Sequence, residues 1–201
     1  MAPTAVLFDV GNVIVRWDPR TLYAKIFSDA EERERFLAEV CTMDWHAEHD
    51  RGVPFRVNAD RLVARHPAYE AEIRAWRDRW DEMFSGPISE TESVMRDLHA
   101  RGVPMFALTN MPLEAWPGVQ AMSPVFGLFQ DAVVSAVEGV IKPERRAFEI
   151  ACERAGRAPS ELFFVDDNAA NIAAAEAMGF PCLLFRDPAE LRPALERAGL
   201  L

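Results

Sequence analysis

The stretch Thr4-Ala-Val-Leu-Phe-Asp-Val-Gly-Asn-Val13 constrains this chain more than any other. Ala5 to Phe8 and Val10 run apolar around a single carboxylate, Asp9, without the alternation of a half-solvated strand. Such a run reads as a central parallel strand covered on both faces. Gly11 and Asn12 follow at once, so the chain turns at the strand's carboxyl end, the edge where open α/β sheets bind ligands. An unpaired buried carboxylate is costly. Asp9 therefore reads as a nucleophile or a metal ligand, with capping of the next turn as the plain alternative.

Further short apolar runs occur at 104–108, 132–134, 162–165 and 181–185, separated by helical patterns. Strands alternating with helices predict βαβ units and a parallel sheet, an α/β fold. Ser89-x-x-Glu92 has capping-box spacing for a helix that turns Val94, Met95 and Leu98 inward. The next helix has Ala147, Phe148, Ala151 and Ala155 on its inner face, and an Ala-rich helix covers 168–178. Asp187 caps a last helix that Pro193 is expected to kink or break.

Residues 17–88 interrupt this rhythm straight after the first strand. Ser28 and Asp29 have capping-box spacing to Glu31 and Glu32, and Phe36, Leu37 and Val40 form a stripe. Helices are expected over 54–65 and 68–84, the second carrying Ile73, Trp76, Trp80 and Phe84. The domains are thus a core of 1–16 and 89–201 and an inserted helical subdomain of 17–88. The insertion holds four of the five tryptophans (Trp17, Trp45, Trp76 and Trp80), read as the core of a small bundle or as a substrate-facing wall.

A length of 201 residues suits a core domain with a small insertion. The net charge of −10 argues against a phosphate-backbone binder. It leaves room for a small anionic ligand, which responds to local potential. Cys41, Cys152 and Cys182 are odd in number and widely spaced, which fits reduced thiols better than disulfides or zinc. No run approaches the roughly 18 apolar residues that span a bilayer. With no basic leader at the N-terminus, the expectation is a soluble, cytoplasmic protein without membrane or nucleic-acid partners.

Three strands end in polar groups: Asp9, Thr109-Asn110 and Asp166-Asp167. A parallel sheet brings such ends to one edge, and Lys142 lies just before the helix start at Pro143. Singly, each is bland: an acidic pair caps helices and a lysine before proline is usually solvated. Together, carboxylates at close range repel unless a divalent cation neutralises them, and oxygen ligands favour Mg²⁺. One carboxylate oxygen can then attack an electrophile, Thr109 and Asn110 can donate to a developing oxyanion, and Lys142 can compensate its charge. Phosphoryl transfer through an aspartyl-phosphate fits these parts.

Four segments in this order resemble the motifs of the haloacid dehalogenase (HAD) superfamily: Phe8-Asp-Val-Gly-Asn-Val-Ile14, Leu108-Thr-Asn110, Lys142-Pro143 and Phe164-Val-Asp-Asp-Asn-Ala-Ala-Asn171. The insertion is similar to the helical cap of the subfamily that includes small-molecule phosphatases and 2-haloacid dehalogenases. The resemblance implies a Rossmann-like core with an all-helical cap, and Asp9 as nucleophile. It implies Mg²⁺ held by Asp9, the Gly11 carbonyl and Asp167, with Asp166 acting through water. Catalysis would fall to Asp9, Thr109, Asn110 and Lys142, and substrate binding to Gly11, Asn12, Thr109, Asn110 and Lys142.

One departure matters. Relatives that are phosphatases usually carry an acid–base Asp two residues after the nucleophile, where this chain has Gly11. General acid–base help is worth about 10²–10⁴ in rate. The insertion offers His46, Glu48 and His49, each read first as an ordinary surface residue. The expectation is modest phosphatase activity, favouring leaving groups that need little protonation, such as sugar 1-phosphates or aryl phosphates. The alternatives are a metal-independent 2-haloacid dehalogenase, with Asp9 attacking carbon, and an inactive HAD-like binding protein. A phospho-acceptor receiver domain is disfavoured, because its acidic pair comes early in the chain. The partner is a small phosphorylated or halogenated molecule, and monomer and homodimer both stay open.

Overall fold

The computed structural model describes residues 2–201. Among these residues seven strands occur in chain order: β1 Ala5–Phe8, β2 Val15–Trp17, β3 Phe84–Pro87, β4 Met105–Thr109, β5 Asp131–Val134, β6 Leu162–Asp166 and β7 Cys182–Leu184. Five form one parallel sheet in the order β5-β4-β1-β6-β7. All four residues of β1 are fully buried, as a strand covered on both faces requires.

The side chains of β1 alternate between two cores. Val6 and Phe8 join Met95, Leu98 and Leu195 of the helices Ser89–Ala100 and Pro188–Arg197. Ala5 and Leu7 join Phe148, Ile172 and Ala175 of the helices Arg145–Ala155 and Ala169–Ala177. The strand order reverses at β1, with β4 on one side and β6 on the other, and there a crevice opens beyond the carboxyl ends.

Between β2 and β3 the chain forms the helices Pro19–Tyr23, Ala30–Glu39, Met43–Asp50, Phe55–Arg65 and Glu70–Asp78. β2 and β3 pair antiparallel, Val15 opposite Pro87 and Trp17 opposite Phe84, so the insertion leaves and re-enters the core through a two-stranded ribbon. The sequence shows no strand at either place, because runs this short carry no readable period. Trp76 sits in the middle of the helices, 1% exposed, edge-on to Trp45 and tilted against Tyr23. The aromatic excess therefore builds a core, although Trp17 and Trp80 turn to a cavity instead.

Other local expectations give way to packing. The helix expected over 68–84 becomes the 3₁₀ turn Pro67–Tyr69, the helix Glu70–Asp78 and the 3₁₀ turn Trp80–Met83. The chain departs from helical geometry at Arg79 (φ −129°, ψ 27°), and Phe84 is already extended in β3. Ser89 does not cap its helix: Ile88 takes the N-cap position, and Glu92 accepts from Ser123 and Arg96. The helix Pro188–Arg197 runs through Pro193 without a break, since Leu191, Ala194 and Leu195 bury on either side of it. The three cysteines are unbonded. No helix among the described residues is long and apolar enough to cross a membrane.

The helix Met43–Asp50 has no apolar stripe in the sequence, and it buries His46, His49 and Asp50 along with Trp45. Just beyond it Gly52 has a φ of +95°, and a Cβ there would lie 2.8 Å from the Ala136 carbonyl oxygen. This is where the insertion meets the short helix Ser135–Glu138 that follows β5. The left-handed conformation alone costs a side chain about 1–2 kcal/mol. Gly52→Ala is therefore expected to lower the melting temperature by at least about 2–8 °C. Gly102→Ala, at φ +74° with open space around it, carries the conformational cost only. A larger drop for Gly52→Ala measures the contact with Ala136, and equal drops would remove it from the account.

Candidate active site

β1 delivers Asp9 to the sheet edge, and the chain turns there. The Val10 carbonyl accepts from the N–H groups of Ile14 (2.9 Å) and Val15 (3.2 Å). Asn12 takes a left-handed φ of +55°, which asparagine tolerates better than most residues. Its Oδ1 accepts from the Trp17 N–H at 3.0 Å, tying the turn to the start of the insertion.

Asp9 is 8% exposed. Its Oδ1 accepts from the Val10 N–H at 2.7 Å and from Lys142 Nζ at 2.8 Å. Lys142 also donates to Asp166 Oδ2 at 2.7 Å, so one buried ammonium is shared between two carboxylates. Burial opposes the charge on Lys142, but Asp166 and Asp9 outweigh it and raise its pKa. Asp9 is pushed from 3.8 to about 7, chiefly by burial, with Lys142 opposing and Asp166 and Asp167 adding to the rise. Burial and Asp166 also raise Asp167, against a hydrogen bond from Asn12.

Two of the expected site residues are tied to protein partners by their hydrogen bonds. Asn110 does not direct its side chain at a substrate: Oδ1 accepts from the Lys142 N–H at 2.8 Å and Nδ2 donates to the Lys142 carbonyl at 3.0 Å. Both ends of the carboxamide are committed to fixing the lysine backbone. Asp166 is fully buried and accepts from the Asn168 N–H at 2.8 Å, from Asn171 Nδ2 at 3.0 Å on each oxygen, and from Lys142. These three donors hold the carboxylate in place, so that Asp166 in turn positions Lys142 and Asn171. Asn168, rather than the acidic pair, caps the helix Ala169–Ala177. Thr109 is 1% exposed, and among the described residues its hydroxyl makes only a 3.5 Å contact with the Asn110 carbonyl.

Oxygens of Asp9, Asp166 and Asp167 lie within 4.8 Å of one another. Three carboxylates facing one ammonium leave an excess of negative charge, and the donors are all oxygen. That chemistry suits a hard divalent cation.

Above these groups lies a cavity of about 250 Å³, floored by Asp9, Gly11 and Lys142 and walled from the insertion by Trp17, His46, Asp50 and Trp80. A wider groove of about 850 Å³ shares Asn12, Trp17, Met43 and Asp167 with it. Of the three insertion residues singled out in the sequence, only Glu48 is exposed. His46 and His49 are 4% and 1% exposed, against the expectation of surface residues. The His46 ring stacks on Trp17 and Trp80, and burial, with His49 adding, pushes its pKa down to about 3. His49 packs edge-on to Trp45 with Nδ1 3.2 Å from the Val53 carbonyl, and burial pushes it down to about 4. Both imidazoles are neutral, and His49 belongs to the packing.

The residue that sequence reasoning passed over is Asp50. It is 6% exposed, lines the cavity, and has an Oδ1 with no hydrogen-bond partner. His46 Nε2 stands 3.6 Å away, too long for a hydrogen bond. Burial pushes the carboxyl up to about 8, with Lys142 opposing and Asp9 adding. Burial thus favours the neutral form of both the imidazole and the carboxyl. The available signal was the i, i+4 spacing of His46 and Asp50, which places both on one helix face.

The chain matches the family model for haloacid dehalogenase-like hydrolases over residues 3–179. It is 26% identical over 187 residues to the sesquiterpene phosphatase astK of Aspergillus oryzae, covering 91% of this chain and 90% of that protein. It is also 26% identical to an (S)-2-haloacid dehalogenase of Pseudomonas sp. strain YL, but over 125 residues, 62% of this chain and 54% of that one. Among solved structures it is similar to the HAD family enzyme bt-2542 of Bacteroides thetaiotaomicron, with a TM-score of 0.73 at 20% identity, covering 96% and 99% of the two chains. That enzyme is also known in complex with magnesium and inorganic phosphate, a structure that matches at a TM-score of 0.70, with 21% identity, over 94% of this chain and 98% of that one.

Proposed function

The chain belongs to the haloacid dehalogenase-like hydrolases, and within that family we propose that it is a Mg²⁺-dependent phosphatase of small phosphomonoesters. The observation that carries this reading is the excess of carboxylate at the sheet edge: Asp9, Asp166 and Asp167 gather there, and the one lysine bonds Asp9 and Asp166. A dehalogenase needs no cation there and gains nothing from that repulsion. Similarity to a phosphatase over nearly the whole chain supports the same side.

In this reading Asp9, the Gly11 carbonyl and Asp167 hold Mg²⁺. The ion supplies the positive charge that keeps Asp9 ionised and draws charge from the phosphoryl oxygens. Val10 and Lys142 fix Asp9 through Oδ1, and no protein group among the described residues donates to Oδ2. Oδ2 attacks phosphorus in line, the ester oxygen leaves, and water then hydrolyses the aspartyl-phosphate. The Thr109 hydroxyl and the Lys142 ammonium bind the phosphoryl oxygens, Asn110 and Asp166 position Lys142, and Asn12 orders the turn beside Asp167. Residues 17–88 act as the cap that closes over the substrate. Their walls, with Trp17, Trp80 and Phe84, suit an apolar or flat alcohol portion.

A second reading is a 2-haloacid dehalogenase, which Gly11 favours because halide leaves without a proton. The test assays phosphate from a panel of phosphomonoesters and halide from 2-chloropropionate in parallel, with Mg²⁺ or EDTA. Phosphate release that needs Mg²⁺ is expected. Mg²⁺ at about 100 times its Kd should also stabilise the fold by about 2.7 kcal/mol, read as a rise in melting temperature. EDTA-resistant halide release without phosphate release would replace the phosphatase by the dehalogenase.

A further inference from the structure

We propose that Asp50, brought over the site by the helix Met43–Asp50, is the general acid and base of the reaction and takes the place of the side chain that Gly11 lacks. The proposal rests on the phosphatase reading above and adds the residue that moves the proton.

Four observations carry it. A Cβ built on Gly11 would meet no atom within 4 Å, so the space that an acid two residues after Asp9 would enter is open. Gly11 and Asp50 line one cavity of about 250 Å³, so a carboxyl entering from the insertion faces the same volume. Asp50 is more than nine-tenths buried, and its Oδ1 has no hydrogen-bond partner. An orphaned buried acceptor lowers stability, and residues kept at such a cost cluster where chemistry is done. Among the described residues no cation pairs with Asp50: Lys142 is held by Asp9 and Asp166, and the neighbouring His46 is neutral.

The carboxyl is also held in place. Arg51 bonds Glu144, two residues beyond Lys142, and Gly52 packs on the Ala136 carbonyl. The end of the helix is thereby clamped to the short helix Ser135–Glu138 and to the loop that carries the lysine. The raised pKa of Asp50 agrees with a carboxyl that is protonated when substrate arrives.

The steps balance. As the bond from Asp9 Oδ2 to phosphorus forms and the ester P–O bond breaks, the Asp50 carboxylic acid gives its proton to the departing alkoxide. The resulting Asp50 carboxylate takes a proton from the water that attacks the aspartyl-phosphate. Cleavage of the bond to Asp9 then yields inorganic phosphate, and both carboxyl groups return to their starting state.

The experiment measures kcat/KM of the Mg²⁺-loaded protein for p-nitrophenyl phosphate and for a primary alkyl phosphate, in the parent, in Asp50→Asn and in Asp50→Asn with Gly11→Asp. Asp50→Asn is expected to lose about 10²–10⁴ on the alkyl ester and less than about tenfold on the aryl ester, whose leaving group needs little protonation. Gly11→Asp is expected to restore part of the alkyl activity. Equal losses on the two esters, or none, would overturn the proposal while leaving the phosphatase standing. No phosphate from either ester with the parent protein would remove the phosphatase reading itself. If Asp50→Asn does not fold, an aryl phosphate series on the parent decides the matter. Nearly flat dependence of kcat/KM on leaving-group pKa supports a proton donor, and steep dependence overturns it.

Discussion

Asp9→Asn is expected to abolish phosphate release, by on the order of 10³-fold or more, while leaving the fold at least as stable as the parent at pH 8. A carboxamide has no anionic oxygen to attack phosphorus, and loss of a covalent nucleophile removes the whole pathway rather than a share of it. Stability moves the other way because Asp9 is held at a cost. Its folded pKa of about 7 lies above the ordinary 3.8. Between those values the folded state binds the extra proton, so stability is lost as pH rises from about 4 to 7. Asn carries no such charge, and Lys142 keeps Asp166 as its partner. Melting curves in EDTA at pH 8, beside phosphate assays in Mg²⁺, separate the two effects. Activity in Asp9→Asn above a few per cent of the parent would sink the assignment of the nucleophile. A melting temperature well below the parent would show that Asp9 stabilises the site without metal.

Lys142→Met is expected to be the most damaging single substitution for stability, at about 3–5 kcal/mol near neutral pH. In a domain of this size that is roughly 6–20 °C. The ammonium is 1% exposed and bonded to Asp9 and Asp166, so its removal leaves two buried carboxylates without a cation. Its own raised pKa means that its contribution is present throughout the range below about 10.5. Without it Asp9 and Asp50 both lose the charge that holds their pKa values down. The folded variant then resists ionising them at a pH where the parent ionises Asp9, so the deficit grows as pH rises past about 7. Melting temperatures of parent and variant in EDTA at pH 5 and pH 8.5 test this. Equal deficits at the two values would mean that lost packing, rather than uncompensated charge, sets the cost.

The features legible in the sequence are those with a short-range cause. A continuous apolar run ending in a carboxylate and a tight turn can hardly be other than a buried central strand, and β1 is fully buried. Strands alternating with helices from residue 89 onward dictate a parallel sheet, whose strand ends must share one edge. That alone brings Asp9, Thr109, Asp166 and, across the next loop, Lys142 together. The β2–β3 ribbon was not legible because neither strand is long enough to show a period. The helix Met43–Asp50 was not legible as part of the site because it buries polar side chains where a stripe would be apolar.

Hydrogen-bond partners were out of reach of the sequence for a different reason. Whether Asn110 faces a substrate or the Lys142 backbone, and whether Asp166 meets the Lys142 ammonium, depends on distances between segments 24 to 32 residues apart. Asp50 is the extreme case, since only its i, i+4 spacing from His46 sets it apart from Asp44 or Glu48. The sequence by itself determined the sheet, the order of its strands' chemistry and the edge where that chemistry collects, because periodicity and strand ends are local. Only the tertiary structure decided which carboxylates are held by protein and which carboxyl hangs unpartnered over Gly11, because burial and pairing arise where distant segments meet.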